Sequence, residues 1–214
     1  MNYSCCIFDL DGTLSDPLVG MAAALNHALR EHGHPEQTTD YLGQFVGPPL
    51  EGTLTALTGC TEDAQLSSLV QTYREHYVET GFSQNSLYPG IPELLQALKK
   101  DDVTLGVCTS KPESIARKIL SLFELDHYFS FVSGGDVGVV KGQQLERLLQ
   151  VGEIDNRALM IGDRSVDVIA AHSNNLASAG VLWGFGSKEE LTLEQPHHVL
   201  EQPAHLLDVL RVSA

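Results

Sequence analysis

Long apolar runs are missing from this sequence. No stretch reaches the roughly 18 residues needed to cross a bilayer, so no membrane span is expected. Basic residues are scarce: lysine and arginine total 13 against 28 aspartates and glutamates, a net charge of −15. So acidic a surface repels nucleic-acid phosphate and anionic membranes and argues against either as a partner. An anionic ligand must then be drawn in by a local positive centre, either a metal ion or a few lysines. Cysteine is sparse as well. The four present, Cys5, Cys6, Cys60 and Cys108, show no CxxC or Cys/His metal spacing. Cys5, Cys6 and Cys108 sit in apolar runs and read as reduced, buried thiols, which suits a reducing compartment. The N-terminus has no basic region and is too polar for a signal peptide. A cytoplasmic protein is expected.

What is present is enough for one α/β domain and a small second unit: 214 residues, 43% of them apolar. Cys5 to Leu10 is a short apolar run closed by acidic residues and Gly12, the pattern of a buried strand. Leu18, Met21, Ala22, Leu25, Ala28 and Leu29 then recur at helical spacing, and Gly33 stops them. Leu50, Leu54 and Leu57 suggest a second helix between Pro48-Pro49 and Gly59. Leu66, Leu69, Val70, Tyr73 and Tyr77 suggest a third. From about 16 to 84 the chain reads as helices alone.

The texture changes at Leu87-Tyr88-Pro89-Gly90. Strands are expected at Val103–Thr109, Phe129–Ser133, Ala158–Gly162 and Ser178–Leu182. Helices are expected from Pro92, over Pro112–Phe123, Gln143–Val151 and Ser165–Asn174, and from Gln202 to Val212. Such alternation implies an α/β fold, a three-layer Rossmann-like parallel sheet covered on both faces. The first strand belongs to that sheet, so the domains are 1–15 with 85–214, and an inserted all-helical cap over 16–84. The insertion reads as a lid over the sheet's carboxyl edge, where open α/β sheets bind ligands.

Four segments carry chemistry. Asp9-Leu10-Asp11-Gly12-Thr13 places two carboxylates at the end of the first strand, beside a glycine that permits a tight turn. Asp-Gly is also ordinary turn chemistry, but close carboxylates need a cation or a shared proton. Ile161-Gly162-Asp163-Arg164-Ser165-Val166-Asp167 is a second acidic strand end. A helix starting near Asp163 would project Asp163 and Asp167 from one face of its first turn; helix capping is the plainer account. Oxygen ligands from Asp9, Asp163 and a backbone carbonyl suit Mg²⁺. Thr109-Ser110 ends a third strand with a hydroxyl and backbone N–H groups that can hold a phosphate, or merely cap a helix. Lys141 stands just before a core helix in a chain poor in bases. The histidines show no ligand spacing, and Lys111 is a minor candidate for a substrate anion.

These segments, in this order, resemble the four motifs of the haloacid dehalogenase-like superfamily, in the subfamily with an inserted helical cap. The likeness runs nearly end to end. Tyr88-Pro89-Gly90-Ile91, the stretch Trp183 to Leu191, and the cap loop Val46-Gly47-Pro48-Pro49-Leu50 are similar to the phosphoglycolate phosphatase-like branch, which includes nucleotidases and pyrophosphatases. Many relatives have proline after the lysine, where this chain has Gly142.

The resemblance implies a Mg²⁺-dependent phosphatase of a small phosphorylated metabolite, acting as a monomer or homodimer. In it Asp9 is the nucleophile and Asp11 the general acid and base. Thr109, Ser110, Gly12 and Lys141 hold the phosphoryl group, and Asp9, Asp11, Asp163 and Asp167 the metal. Asp11 speaks against dehalogenation, which has no leaving alcohol to protonate. A 5'-nucleotidase, a pyrophosphatase and a β-phosphoglucomutase-like phosphotransferase are alternatives on the same scaffold. A non-enzymatic binding protein is a further one, against which the intact acids speak.

Overall fold

The apolar run at the N-terminus becomes the middle of a sheet. The computed structural model describes residues 3–135 and 139–211. In chain order the strands are β1 (Cys5–Phe8), β2 (Ser15–Asp16), β3 (Ser86–Leu87), β4 (Thr104–Thr109), β5 (Phe131–Gly134), β6 (Ala158–Gly162), β7 (Ala177–Val181) and β8 (His198–Leu200). The first four helices are α1 (Leu18–Glu31), α2 (Thr39–Leu42), α3 (Leu50–Thr58) and α4 (Asp63–Glu79). The rest are α5 (Ile91–Lys100), α6 (Glu113–Leu122), α7 (Lys141–Gln150), α8 (Ser165–Ser173), α9 (Lys188–Leu193) and α10 (His205–Arg211). Among the described residues no helix is long and apolar enough to cross a membrane.

Six strands form one parallel sheet in the order β5-β4-β1-β6-β7-β8. β1 is central because every one of its residues is apolar and buried. Full burial of side chains such as Ile7 and Phe8 contributes roughly 1.5–3 kcal/mol each. Cys5 and Ile7 pack with Cys108, Leu145, Met160, Ala170 and Ala171 in one core cluster. The chain builds outward from β1 on one side through β4 and β5, then crosses to β6 on the other. The order therefore reverses at β1, and the carboxyl ends of β4, β1 and β6 lie side by side at the switch point, where such sheets bind ligands.

The chain divides into two compact units, Met1–Ser15 with Leu87–Ala214, and Asp16–Ser86. In the second, α1 packs chiefly on α4. The stripe Met21, Ala22, Leu25, Ala28 and Leu29 is buried, as are Leu69, Val70, Tyr73 and Tyr77. The Tyr73 and Tyr77 rings stack at 5.6 Å.

Several expectations shift. Residues 16–84 are not purely helical, because Asp16 ends a short strand, β2, which pairs with β3. Such two-residue strands are too short for alternation to reveal them. The run predicted as a strand to Leu10 ends at Phe8, because Leu10 O is taken by a turn rather than by a neighbouring strand. α7 begins at Lys141, two residues earlier than predicted, because the Gln143 side chain accepts the Val140 N–H at 3.2 Å and initiates the turn. α8 begins at Ser165, so Asp163 lies in the loop before the helix rather than on its face. α2, α9 and β8 were not anticipated. The last predicted helix is seen as His205–Arg211, and Val212 lies outside the described residues.

Candidate active site

The Asp9 N–H donates to Ile161 O at 2.8 Å, the last contact along β1 before the chain turns. Leu10 O then accepts the N–H groups of Thr13, Leu14 and Ser15, and the Gly12 N–H donates to Ser15 O at 2.8 Å. This turn puts Gly12 at φ +84°, and a Cβ there would lie 2.2 Å from Asp163 Oδ2. Only glycine meets both demands. Asp9, turned inward by this geometry, is buried. Its Oδ1 accepts the Leu10 N–H at 2.7 Å, and its Oδ2 lies 3.1 Å from Lys141 Nζ.

Asp163 follows β6 and is fully buried. Its Oδ2 accepts the Phe185 N–H at 2.8 Å and its Oδ1 the Thr13 hydroxyl at 3.3 Å. Glycines let the loop after β7 close over it. A Cβ on Gly184 would fall 2.2 Å from Gly12 O, and one on Gly186 would fall 1.8 Å from Asp163 O. Asp167 is the third residue of α8; its Oδ2 accepts the Arg164 N–H at 3.0 Å, satisfying an orphan donor of the helix start. Its other oxygen pairs with the Lys141 ammonium.

One oxygen each from Asp9, Asp163 and Asp167 lie within 4.8 Å of one another. Lys141 supplies a single positive charge against the three. Burial, then the charges of Asp167 and Asp9, push Asp163 up to about 8. Burial, with Asp9 adding and Lys141 opposing, pushes Asp167 up to about 6. Burial disfavours the charge on Lys141 too, but Asp167 and Asp9 outweigh it and hold the ammonium. Acids that resist ionisation together, with only oxygen donors, fit a hard divalent cation.

Asp11 is partly buried, and its Oδ2 lies 2.9 Å from Lys111 Nζ. Its Oδ1 is buried with no hydrogen-bond partner. Burial raises its pKa while Lys111 opposes. Thr109 is buried, and its hydroxyl oxygen accepts the Lys111 N–H at 3.3 Å, which leaves the O–H proton to be donated elsewhere. The Gly135 N–H donates to Lys111 O at 2.9 Å and fixes the loop from the β5 side. Ser110 is partly exposed there, and α6 begins just after it. The sheet thus brings Asp9, Asp163, Asp167 and Lys141 into direct or near contact. Lys111 meets Asp11, and Gly12 contributes space, its N–H being engaged within the turn.

Residues 6–181 match the family described as Haloacid dehalogenase-like hydrolase. The chain belongs to this family. Within the family's reach, it is 37% identical over 214 residues to a 5'-nucleotidase of Pseudomonas aeruginosa, covering 98% of this chain and 96% of that one. It is 32% identical to a phosphoglycolate phosphatase of Aquifex aeolicus, covering 95% of each. Among solved structures it superposes on the protein tyrosine kinase A of Mycobacterium tuberculosis with a TM-score of 0.83, at 32% identity and covering 98% of each chain. Proteins similar to this chain are thus named as a nucleotidase, a phosphatase and a kinase.

Several supporting residues escaped sequence reasoning. Gln144 is buried against the Thr109 strand end. The Trp183 indole donates to Thr13 O at 3.0 Å, and Glu190 accepts from the Ser165 N–H at 2.8 Å and from Arg164 at 2.9 Å. The glycine-rich Gly184-Phe185-Gly186, directly after a strand, was the available signal for a close backbone approach.

Gly12→Ala is expected to combine two costs. The left-handed backbone costs about 1 kcal/mol, and the new methyl must displace the Asp163 carboxylate. Thermal denaturation should fall by several degrees, and the divalent-ion concentration for half-maximal activity should rise about tenfold or more. Wild-type metal dependence in a folded Gly12→Ala protein would mean that Asp163 is not held by this contact.

Proposed function

We propose that this protein is a magnesium-dependent phosphatase of small phosphate monoesters that works through an aspartyl-phosphate on Asp9. The observation that carries the reading is the gathering of three buried carboxylates around one lysine where β1 and β6 end. Asp9, Asp163 and Asp167, with the Asp11 backbone carbonyl, would hold Mg²⁺. That ion neutralises phosphoryl oxygens and fixes their orientation when bound.

The chain's own groups perform the rest. An Asp9 oxygen attacks phosphorus as the bond to the leaving oxygen breaks, and Asp11 gives that oxygen its proton. Water then attacks the phosphorus of the acyl phosphate, Asp11 takes a proton from it, and the Asp9–phosphorus bond breaks to release phosphate. Burial favours the protonated form of Asp11 that the first step requires, and no hydrogen bond within the protein engages its Oδ1. Lys141, the Thr109 hydroxyl and the Ser110 N–H steady the transferring oxygens, since phosphoryl transfer depends mostly on position and charge.

Residues 16–84 are the unit that sets substrate preference in this reading, with Val46-Gly47-Pro48-Pro49-Leu50 as the discriminating loop. Leu50→Ala is expected to change the ratio of kcat/KM for two good substrates while leaving metal dependence in place. The decisive screen measures phosphate release from phosphoglycolate, nucleoside monophosphates, sugar phosphates and pyrophosphate. Chelator-sensitive release from at least one is expected. Isomerisation of a sugar phosphate without release would make the protein a mutase, and no reaction with any substrate would leave a binding protein.

A further inference from the structure

We propose that Gln144 is a positioning residue that sets the spacing between the two sides of the phosphate site; the proposal rests on the phosphatase reading above. Gln144 stands one turn after Lys141 on α7, and its side chain is buried. Its Nε2 donates to Thr109 O at 3.1 Å. Its Oε1 accepts from the Ser133 hydroxyl at 2.9 Å and from the Cys108 thiol at 3.6 Å. One carboxamide therefore ties the helix that begins with Lys141 to the ends of β4 and β5.

The demand is specific. The Thr109 carbonyl needs a donor, whereas Ser133 and Cys108 need an acceptor. Glutamate supplies only the second and methionine neither. A packing role alone would be better served by an apolar side chain, because a buried amide is costly unless its partners are in place.

A second amide completes the restraint. Asn174, at the end of α8, donates to Gly142 O and to Ala170 O, both at 2.9 Å. Gly142 sits in the first turn of α7, where its backbone has the most freedom. Gln144 fixes this turn against β4, and Asn174 fixes it against the helix that carries Asp167. The Lys141 ammonium and the Thr109 hydroxyl are thereby held at one separation. A shift of about 1 Å in such a pair can lower the rate about a hundredfold.

The test uses Gln144→Met, which keeps the length and removes the hydrogen bonds, and Gln144→Glu, which keeps the acceptor and loses the donor. The measurements are kcat/KM for p-nitrophenyl phosphate at saturating Mg²⁺, the inhibition constant of inorganic phosphate, and the Mg²⁺ concentration for half-maximal activity. Gln144→Met is expected to lower kcat/KM by roughly 10- to 100-fold and to weaken phosphate inhibition, with the Mg²⁺ requirement within about twofold of wild type. Should that variant fail to fold, Ser133→Ala removes one bond to the same amide and is expected to act in the same direction, by roughly two- to fivefold. Unchanged kcat/KM and unchanged phosphate inhibition in the folded variants, whatever their melting temperature, would reduce Gln144 to a packing role. If the wild type releases no phosphate from any ester, the phosphatase reading fails separately. Calorimetric titration with inorganic phosphate then decides the inference, and equal affinity in wild type and Gln144→Met overturns it.

Discussion

Asp9→Asn is expected to lower kcat by roughly four orders of magnitude or more, the scale seen when a nucleophile is removed. The fold should survive. An asparagine Oδ1 can still accept the Leu10 N–H, and losing one negative charge relieves the repulsion among Asp9, Asp163 and Asp167. Thermal denaturation should therefore stay near wild type or rise slightly. The same substitution should abolish the acid-stable phosphoryl adduct seen by mass after quenching a wild-type turnover mixture. A wild-type rate in Asp9→Asn, with deamidation excluded, would be incompatible with covalent catalysis at this carboxylate.

Removal of divalent metal is expected to stop turnover, and Mg²⁺ should restore it. The pH dependence of stability supplies an independent check. Asp163 and Asp167 have folded-state pKa values raised to about 8 and about 6. A raised acid contributes stability that is fully present below its unfolded value and is lost as pH rises through its folded value. Metal-free protein should therefore lose melting temperature between about pH 4 and pH 8. Mg²⁺ binds only the deprotonated acids, so the stabilisation it gives should be larger at pH 8 than at pH 6. Full turnover in excess chelator, or a Mg²⁺-induced shift that shrinks as pH rises, would remove the metal from Asp9, Asp163 and Asp167.

The sheet and the acids were readable from sequence because their signals are local and strong. Cys5 to Phe8 is apolar without interruption, and Asp9, Asp11 and Asp163 stand where two such runs stop. Three kinds of feature were not readable. Elements of a few residues, such as α2 and β8, are too short for periodicity to separate from loop. Helix starts depend on single side-chain bonds, as Gln143 to Val140 N–H decided for α7. Supporting contacts depend on where distant segments meet. Nothing in Lys141-Gly142-Gln143-Gln144 distinguishes the second glutamine from the first, yet one caps a helix and the other reaches Thr109. Likewise the Trp183 bond to Thr13 O spans 170 positions and has no local trace.

The place of β1 in the sheet also bears on how the chain is born. It leaves the ribosome before either of its neighbours in the sheet. β4 starts at Thr104 and β6 at Ala158. At about 5–20 residues per second, Cys5 to Phe8 waits roughly 8–30 seconds for its second partner. Throughout that interval an apolar strand has an unpaired edge, the state most open to pairing with another chain. Asp9 waits with it, since Asp163 and Asp167 do not yet exist. A nascent chain that has not yet reached β6 therefore carries Asp9 without the acids that gather around it, and chaperone demand should peak just before β6 emerges.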